Sequence, residues 1–143
     1  MATEEQIERF IKIFDNMHSG HLMKKENQIK AGIGAVLRLL DESKEPVTAG
    51  AISEFMHVST ARVAVLLKKM ESKGLIIKKS APNDARVTIV CLTPCGEEKI
   101  QNLKQNMRKD ISQMIDKIGM ERLENAFAVI KEIHVILENS KNV

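Results

Sequence analysis

Tryptophan and tyrosine are both missing from this 143-residue chain, and phenylalanine occurs only four times. That shortage argues against an aromatic platform on which the bases of single-stranded nucleic acid would stack. Cysteine occurs twice, at Cys91 and Cys95, and no second Cys or His pair completes a zinc spacing. Such sparing use suits a reducing cytoplasm. No stretch approaches the ~20 consecutive apolar residues of a membrane span. The opening MATEEQIERF carries acids early and lacks an apolar block behind a basic start, so it does not read as a secretory signal. Also missing are a nucleophile motif, a phosphate loop, a carboxylate pair on one helix and a metal triad, so neither an enzyme nor a resident cofactor or metal is expected.

What is present is an ordinary globular composition, 43% hydrophobic and 29% charged, in a chain the size of one domain. The net charge of +3 is unevenly spread. From Val47 to Thr93 there are seven bases against three acids, a balance of +4 that leaves the two flanks together at −1. A basic middle on a nearly neutral scaffold fits a centre that meets a polyanion.

Periodicity places most of the chain in helices. Thr3 can cap a first helix to about Met17, with Ile7, Phe10, Ile11, Phe14 and Met17 on one stripe. A second helix, about 28–43, carries Ile29, Ile33, Val36, Leu37 and Leu40. Two short helices follow Pro46. Thr48 is the cap of the first, with Ile52 and Phe55 expected inside. Ser59 caps the second, which runs to Lys73 and stops at Gly74. Two helices joined by a tight turn make a helix-turn-helix. LIIKKS and RVTIVCLT, separated by the turn PNDA, then predict a two-stranded hairpin. Thr93 and Pro94 begin a long helix, with Leu103, Met107, Ile111, Met114, Ile115 and Ile118 on its stripe. Gly119 separates it from a last helix.

That last helix is apolar around more of its circumference than one covered side requires: Leu123, Phe127, Ile130, His134 and Leu137 form one row, and Ala126, Val129, Ile133 and Ile136 adjoin it. A two-fold partner chain covering the first and last helices is the economical solution, with a monomeric helical core as the alternative.

A helix-turn-helix followed directly by a hairpin is a winged helix, in which the second helix enters the major groove and the hairpin lies beside it. Lys78 and Lys79 at the strand end can then meet phosphates. Pro82 and Asn83 form the turn, and Arg86 suits a narrow minor groove. Asp84, two residues away, is placed to aim that arginine.

In sequence, TAGAISEFMHVSTARVAVLLKKMESKGLI followed by DARVTIVCLTPCGEE resembles the MarR family of bacterial winged-helix transcription regulators. The local signatures are MESKGLI at the end of the recognition helix, the Asp-x-Arg wing, and a strand ending in Leu-Thr before a glycine. The likeness covers nearly the whole chain. It implies a mainly α fold with a small β-hairpin wing: one domain over 1–143, with dimerisation helices at about 1–27 and 94–143 around a winged-helix DNA-binding lobe at about 28–93. It further implies a cytoplasmic homodimer that binds double-stranded promoter DNA, a repressor more often than an activator, tuned by a small effector. Carried over by position, Ser59, Thr60, Ala61 and Arg62 begin the recognition helix. Arg62 is the candidate for a guanine contact, and Ser59 and Thr60 for capping or phosphate contact. Lys68 and Lys69 are candidates for phosphates. The family often has a polar or basic residue where Val65 stands; here Ala64 and Val65 either touch thymine methyls or pack inward. The dimer interface is expected at Ile7, Phe10, Ile11, Phe14, Phe127, Ile130, His134 and Leu137.

Two contrasting readings stay open. One is a winged-helix interaction or architectural protein with weak, non-specific DNA binding. The other is a redox switch, since Cys95 at a helix start is placed for oxidation, with Cys91 four residues earlier; the favoured reading is instead that Cys91 is a small buried hydrophobe and Cys95 an ordinary helix-start residue. His18 and His21 are too few for a metal site, and His57 falls in the corner of the helix-turn-helix.

Overall fold

The computed structural model of the chain describes residues 1–16 and 25–141, with side-chain surroundings given for 1–13 and 32–141. Two compact units divide the chain, Leu22–Lys104 and a second made of Met1–His21 with Gln105–Val143. His18 and His21 lie outside the described residues, as do Met17 and the side chains of Phe14 and Ile29.

The unit Leu22–Lys104 contains α2 (Lys25–Glu42), β1 (Val47–Thr48), α3 (Ala49–Met56), α4 (Thr60–Ser72), β2 (Ile76–Ala81), β3 (Asp84–Leu92) and the start of α5 (Pro94–Ile118). Thr48 Oγ1 accepts from the Ala51 amide at 3.0 Å, and Ser59 Oγ accepts from the Arg62 amide at 3.2 Å. Both hydroxyls satisfy an amide that the first helical turn leaves unpaired. The corner between α3 and α4 is closed by His57 in the left-handed region (φ 52°), and the Ser53 hydroxyl donates to the Val58 carbonyl at 2.6 Å. At the far end of α4, Gly74 takes φ 71°, a geometry that costs glycine little because it has no Cβ.

One core holds these elements together. Val36, Leu37, Ile52 and Met70 are fully buried, joined by Val63, Leu67, Ile76 and Ile100. The 3-4 spacing of Val63, Leu67 and Met70 is what turns one face of α4 inward. Ile100 belongs to α5, so the core of this unit takes in the first turns of the long helix, beyond residue 93. Lys104 pairs with Asp41 on α2 within the same unit.

Two expectations are corrected. The sheet has three strands in the order β1-β3-β2, because Val47 and Thr48 pair antiparallel with Val90 and Ile89. A two-residue strand is too short to show alternation, so it left no mark in the sequence. Phe55, expected inside, is 51% exposed. In an eight-residue helix the inward face is narrow, and Ile52 occupies it.

The other unit packs α1 (Glu4–Asn16) and α6 (Met120–Lys141) with the remainder of α5. Thr3 and Gln6 form a reciprocal cap at the start of α1, at 2.9 and 3.2 Å. Ile7, Phe10, Ile111, Ile115 and Leu123 form the core, with Phe127 edge-on to Phe10 at 5.2 Å between ring centroids. Arg108 pairs with Glu4 and Glu8, and Arg9 with Glu124. Gly119, at φ 91°, makes the turn from α5 to α6.

Candidate nucleic-acid interface

Burying Val63, Leu67 and Met70 forces the rest of α4 outward. Ser59, Thr60, Ala61, Arg62, Ala64, Val65, Lys68 and Lys69 are all exposed. Val65 is 72% exposed, so of the two alternatives left open by its sequence position, inward packing is eliminated. Among the described residues, Arg62, Lys68 and Lys69 take part in no ion pair, and their charges face solvent. A helix with an apolar inner side and three free cations outside has the character of one that approaches a phosphate backbone.

Beside it, β2 and β3 form the hairpin, paired from Ile76↔Leu92 to Ala81↔Asp84, with an irregularity between Ser80 and Ala81. Pro82 and Asn83 are exposed at the tip. The Arg86 side chain is 92% exposed and would be mobile if left alone. It is held by Asp84, which accepts from the Arg86 amide (3.0 Å), from Nε (3.2 Å) and from a terminal nitrogen (3.4 Å). The backbone amide of Arg86 first, and its guanidinium second, keep the Asp84 carboxyl below its ordinary pKa. Asp84 therefore stays ionised and splints the arginine. Lys78 lies 3.4 Å from Glu71 of α4, so it links the hairpin to that helix and its charge is shared with a carboxylate. Sequence spacing alone did not reveal that partner, which becomes a neighbour only when β2 folds back from Gly74.

The junction behind the hairpin was also hidden. Thr93 Oγ1 accepts from the Gly96 amide at 3.0 Å and donates to the Gly74 carbonyl, while the Thr93 amide donates to the Leu75 carbonyl at 3.1 Å. One threonine thereby caps α5 and fastens it to the end of α4. The visible signal was Leu-Thr-Pro; the second bond has no local signature.

Of the residues assigned to a dimer interface, Ile7 and Phe10 are covered within one chain. Ile11 and Phe127 are partly buried against the same core. His134 is half-buried, while Ile130 and Leu137 are exposed. Val129, Ile133, Val135 and Ile136 are also exposed on α6, as are Met114 and Ile118 on α5. Cys91 is half-buried in β3 and Cys95 exposed at the start of α5; both are free thiols. Among the described residues no group of three or more His, Cys, Asp or Glu side chains is placed to hold a metal, and no helix is long and apolar enough to cross a membrane.

The MarR family model matches residues 34–87, the stretch from within α2 to the early part of β3. The uncharacterized HTH-type transcriptional regulator YdgJ of Bacillus subtilis is 29% identical over 86 residues, 60% of this chain. That match takes in 52% of YdgJ, so the chain aligns with about half the length of this relative. Among solved structures, the heme sensor protein PefR of Streptococcus agalactiae, in complex with heme, superposes with a TM-score of 0.65 at 23% identity, over 91% of this chain and 82% of PefR. A point mutant of S. aureus MepR bound to an oligodeoxyribonucleotide gives 0.55 at 16% identity, over 93% of this chain and 90% of the other. These likenesses show a common winged-helix fold.

Proposed function

We propose that the chain is a member of the MarR family, whose model matches residues 34–87, and that it is a homodimeric, sequence-specific regulator of transcription that binds double-stranded promoter DNA, acts as a repressor in the cytoplasm and is released or engaged by a small effector. The observation that carries this reading is the pairing of two cationic devices in one unit. The exposed face of α4 presents Arg62, Lys68 and Lys69, which form no ion pair among the described residues, and the wing presents Arg86 splinted by Asp84.

In this reading α4 lies in the major groove, with Arg62 contacting a guanine edge and Lys68 and Lys69 phosphates. The wing inserts Arg86 into the neighbouring minor groove, where negative potential is strongest. Ser59 caps α4, and Thr60 contacts phosphate. The second copy covers the exposed apolar rows of α6. Bulky aliphatic side chains there are left exposed by the described residues, and a two-fold interface buries such rows at once. MepR is a relative by fold seen on an oligodeoxyribonucleotide, and PefR one seen with heme. An effector of this chain is proposed by that kinship.

A second reading, non-specific binding in an architectural role, has one observation in its favour. The middle of the exposed α4 face is Ala61 and Val65, which offer no hydrogen bonds to base edges. Fluorescence anisotropy separates the two, using DNA from upstream of the protein's own gene and a shuffled duplex at two salt concentrations. Tighter, salt-sensitive binding to the native duplex supports the specific regulator. Equal salt-sensitive binding to both supports the architectural reading, and no binding at low salt refutes both.

A further inference from the structure

We infer that the recognition helix reads thymine by its 5-methyl group, through an apolar strip of Ala61, Ala64 and Val65 framed by Arg62, Lys68 and Lys69. The inference rests on the DNA-binding reading above and names what that surface recognises. On a helix, residues three and four apart are neighbours on one face. Ala61 and Val65 are four apart, and Ala64 lies three from Ala61. All three are exposed on α4, opposite the buried Val63, Leu67 and Met70.

The strip is not spare core. Val65 is 72% exposed, and no neighbouring element in its unit covers it. The cations around it select the occupant. Lys68 stands three residues beyond Val65, while Arg62 and Lys69 sit seven apart along one edge, all exposed and without ion-pair partners among the described residues. An apolar protein groove would be repelled by three desolvated cations, whereas DNA satisfies both parts. Phosphates meet the cations, and the major groove offers one apolar group, the thymine methyl. Valine and alanine have no donor or acceptor, so they cannot read the polar edges of bases. Discrimination along this strip is therefore for the methyl, with Arg62 supplying the hydrogen-bonded contact beside it. Small side chains at 61 and 64 also let the helix approach closely enough for Val65 to touch a base.

The test selects a binding duplex from a randomised library with the full-length protein, then remakes it with deoxyuridine in place of thymidine. Uracil keeps every pairing hydrogen bond and lacks only the methyl. Burial of one methyl corresponds to about a fourfold change in affinity, so wild-type protein should bind the uracil duplex weaker by about that factor for each methyl contacted. Val65→Ala should fold normally, since the side chain is exposed, and should narrow the difference between the two duplexes. A change caused by altered duplex shape would persist in that variant. Equal wild-type affinity for the two duplexes overturns methyl readout while leaving sequence-specific binding intact. Undiminished discrimination by Val65→Ala overturns the assignment to this strip. Failure to enrich any duplex, with no binding at low salt, overturns the DNA-binding reading and this inference with it.

Discussion

Gly96 stands where no larger residue fits. A Cβ built there would lie 2.0 Å from the Leu75 carbonyl oxygen, 3.0 Å from the Leu75 carbonyl carbon and 3.1 Å from Leu92 Cδ2. Two of these are backbone atoms that cannot rotate away, so Gly96→Ala must push the first turn of α5 off the end of α4. Three hydrogen bonds cross or adjoin that contact: Thr93 amide to Leu75 carbonyl, Thr93 hydroxyl to Gly74 carbonyl, and Gly96 amide to Thr93 hydroxyl. Overpacking costs about 1–3 kcal/mol. Loss or distortion of hydrogen bonds costs about 1 kcal/mol each. The alanine returns at most about 1 kcal/mol of helix propensity. If one or two of the bonds fail, the net destabilisation is about 1–4 kcal/mol, read as a lower urea midpoint at unchanged m-value. Gly34→Ala is the control, because a Cβ added at that position meets nothing within 4 Å and its φ is ordinary. It should leave stability unchanged or raise it by up to about 1 kcal/mol. A Gly96→Ala protein as stable as wild type would refute the steric reasoning.

The remaining predictions concern the interface and its supports. Arg86→Ala should weaken DNA binding about tenfold, the loss of one charge-assisted contact, with an unchanged far-ultraviolet circular dichroism spectrum; undiminished affinity in a folded variant would remove the wing from recognition. Asp84 has a folded-state pKa below its unfolded value, so the order it gives the wing is complete above the ordinary carboxylate range and fades as pH falls through the lower folded value. Carboxyl chemical shifts followed by NMR should titrate below that range, and should move only part of the way back to it in Arg86→Ala, which removes the guanidinium and keeps the amide at position 86. Ser59→Ala removes the acceptor for the Arg62 amide and should cost about 1 kcal/mol in urea denaturation. Ile133→Glu, on the exposed row of α6, should shift the protein from dimer to monomer in sedimentation equilibrium; a monomeric wild type would sink the proposed interface.

The helices were legible because each declares itself locally. Stripes at steps of three and four marked α1, α2, α4 and α5, and the caps at Thr48, Ser59 and Thr93 were readable from residue type and position. The hairpin was legible from two β-branched runs around Pro82 and Asn83. Phe55 misled because an eight-residue helix has too few positions for its stripe to be unambiguous. Asp84 and Arg86 were paired correctly since their contact spans two residues.

Sequence alone thus determined what chain-local physics controls: element types, their ends, the basic middle and the aspartate that aims an arginine. Only tertiary structure decided which apolar residues are covered, because burial depends on neighbours distant along the chain. It turned Val65 outward and covered Ile7 and Phe10 within the chain. It added Val47 and Thr48 to the sheet through partners more than forty residues away. It brought Leu75 against Gly96, a contact that leaves no trace in periodicity or composition because what it requires is the absence of a side chain.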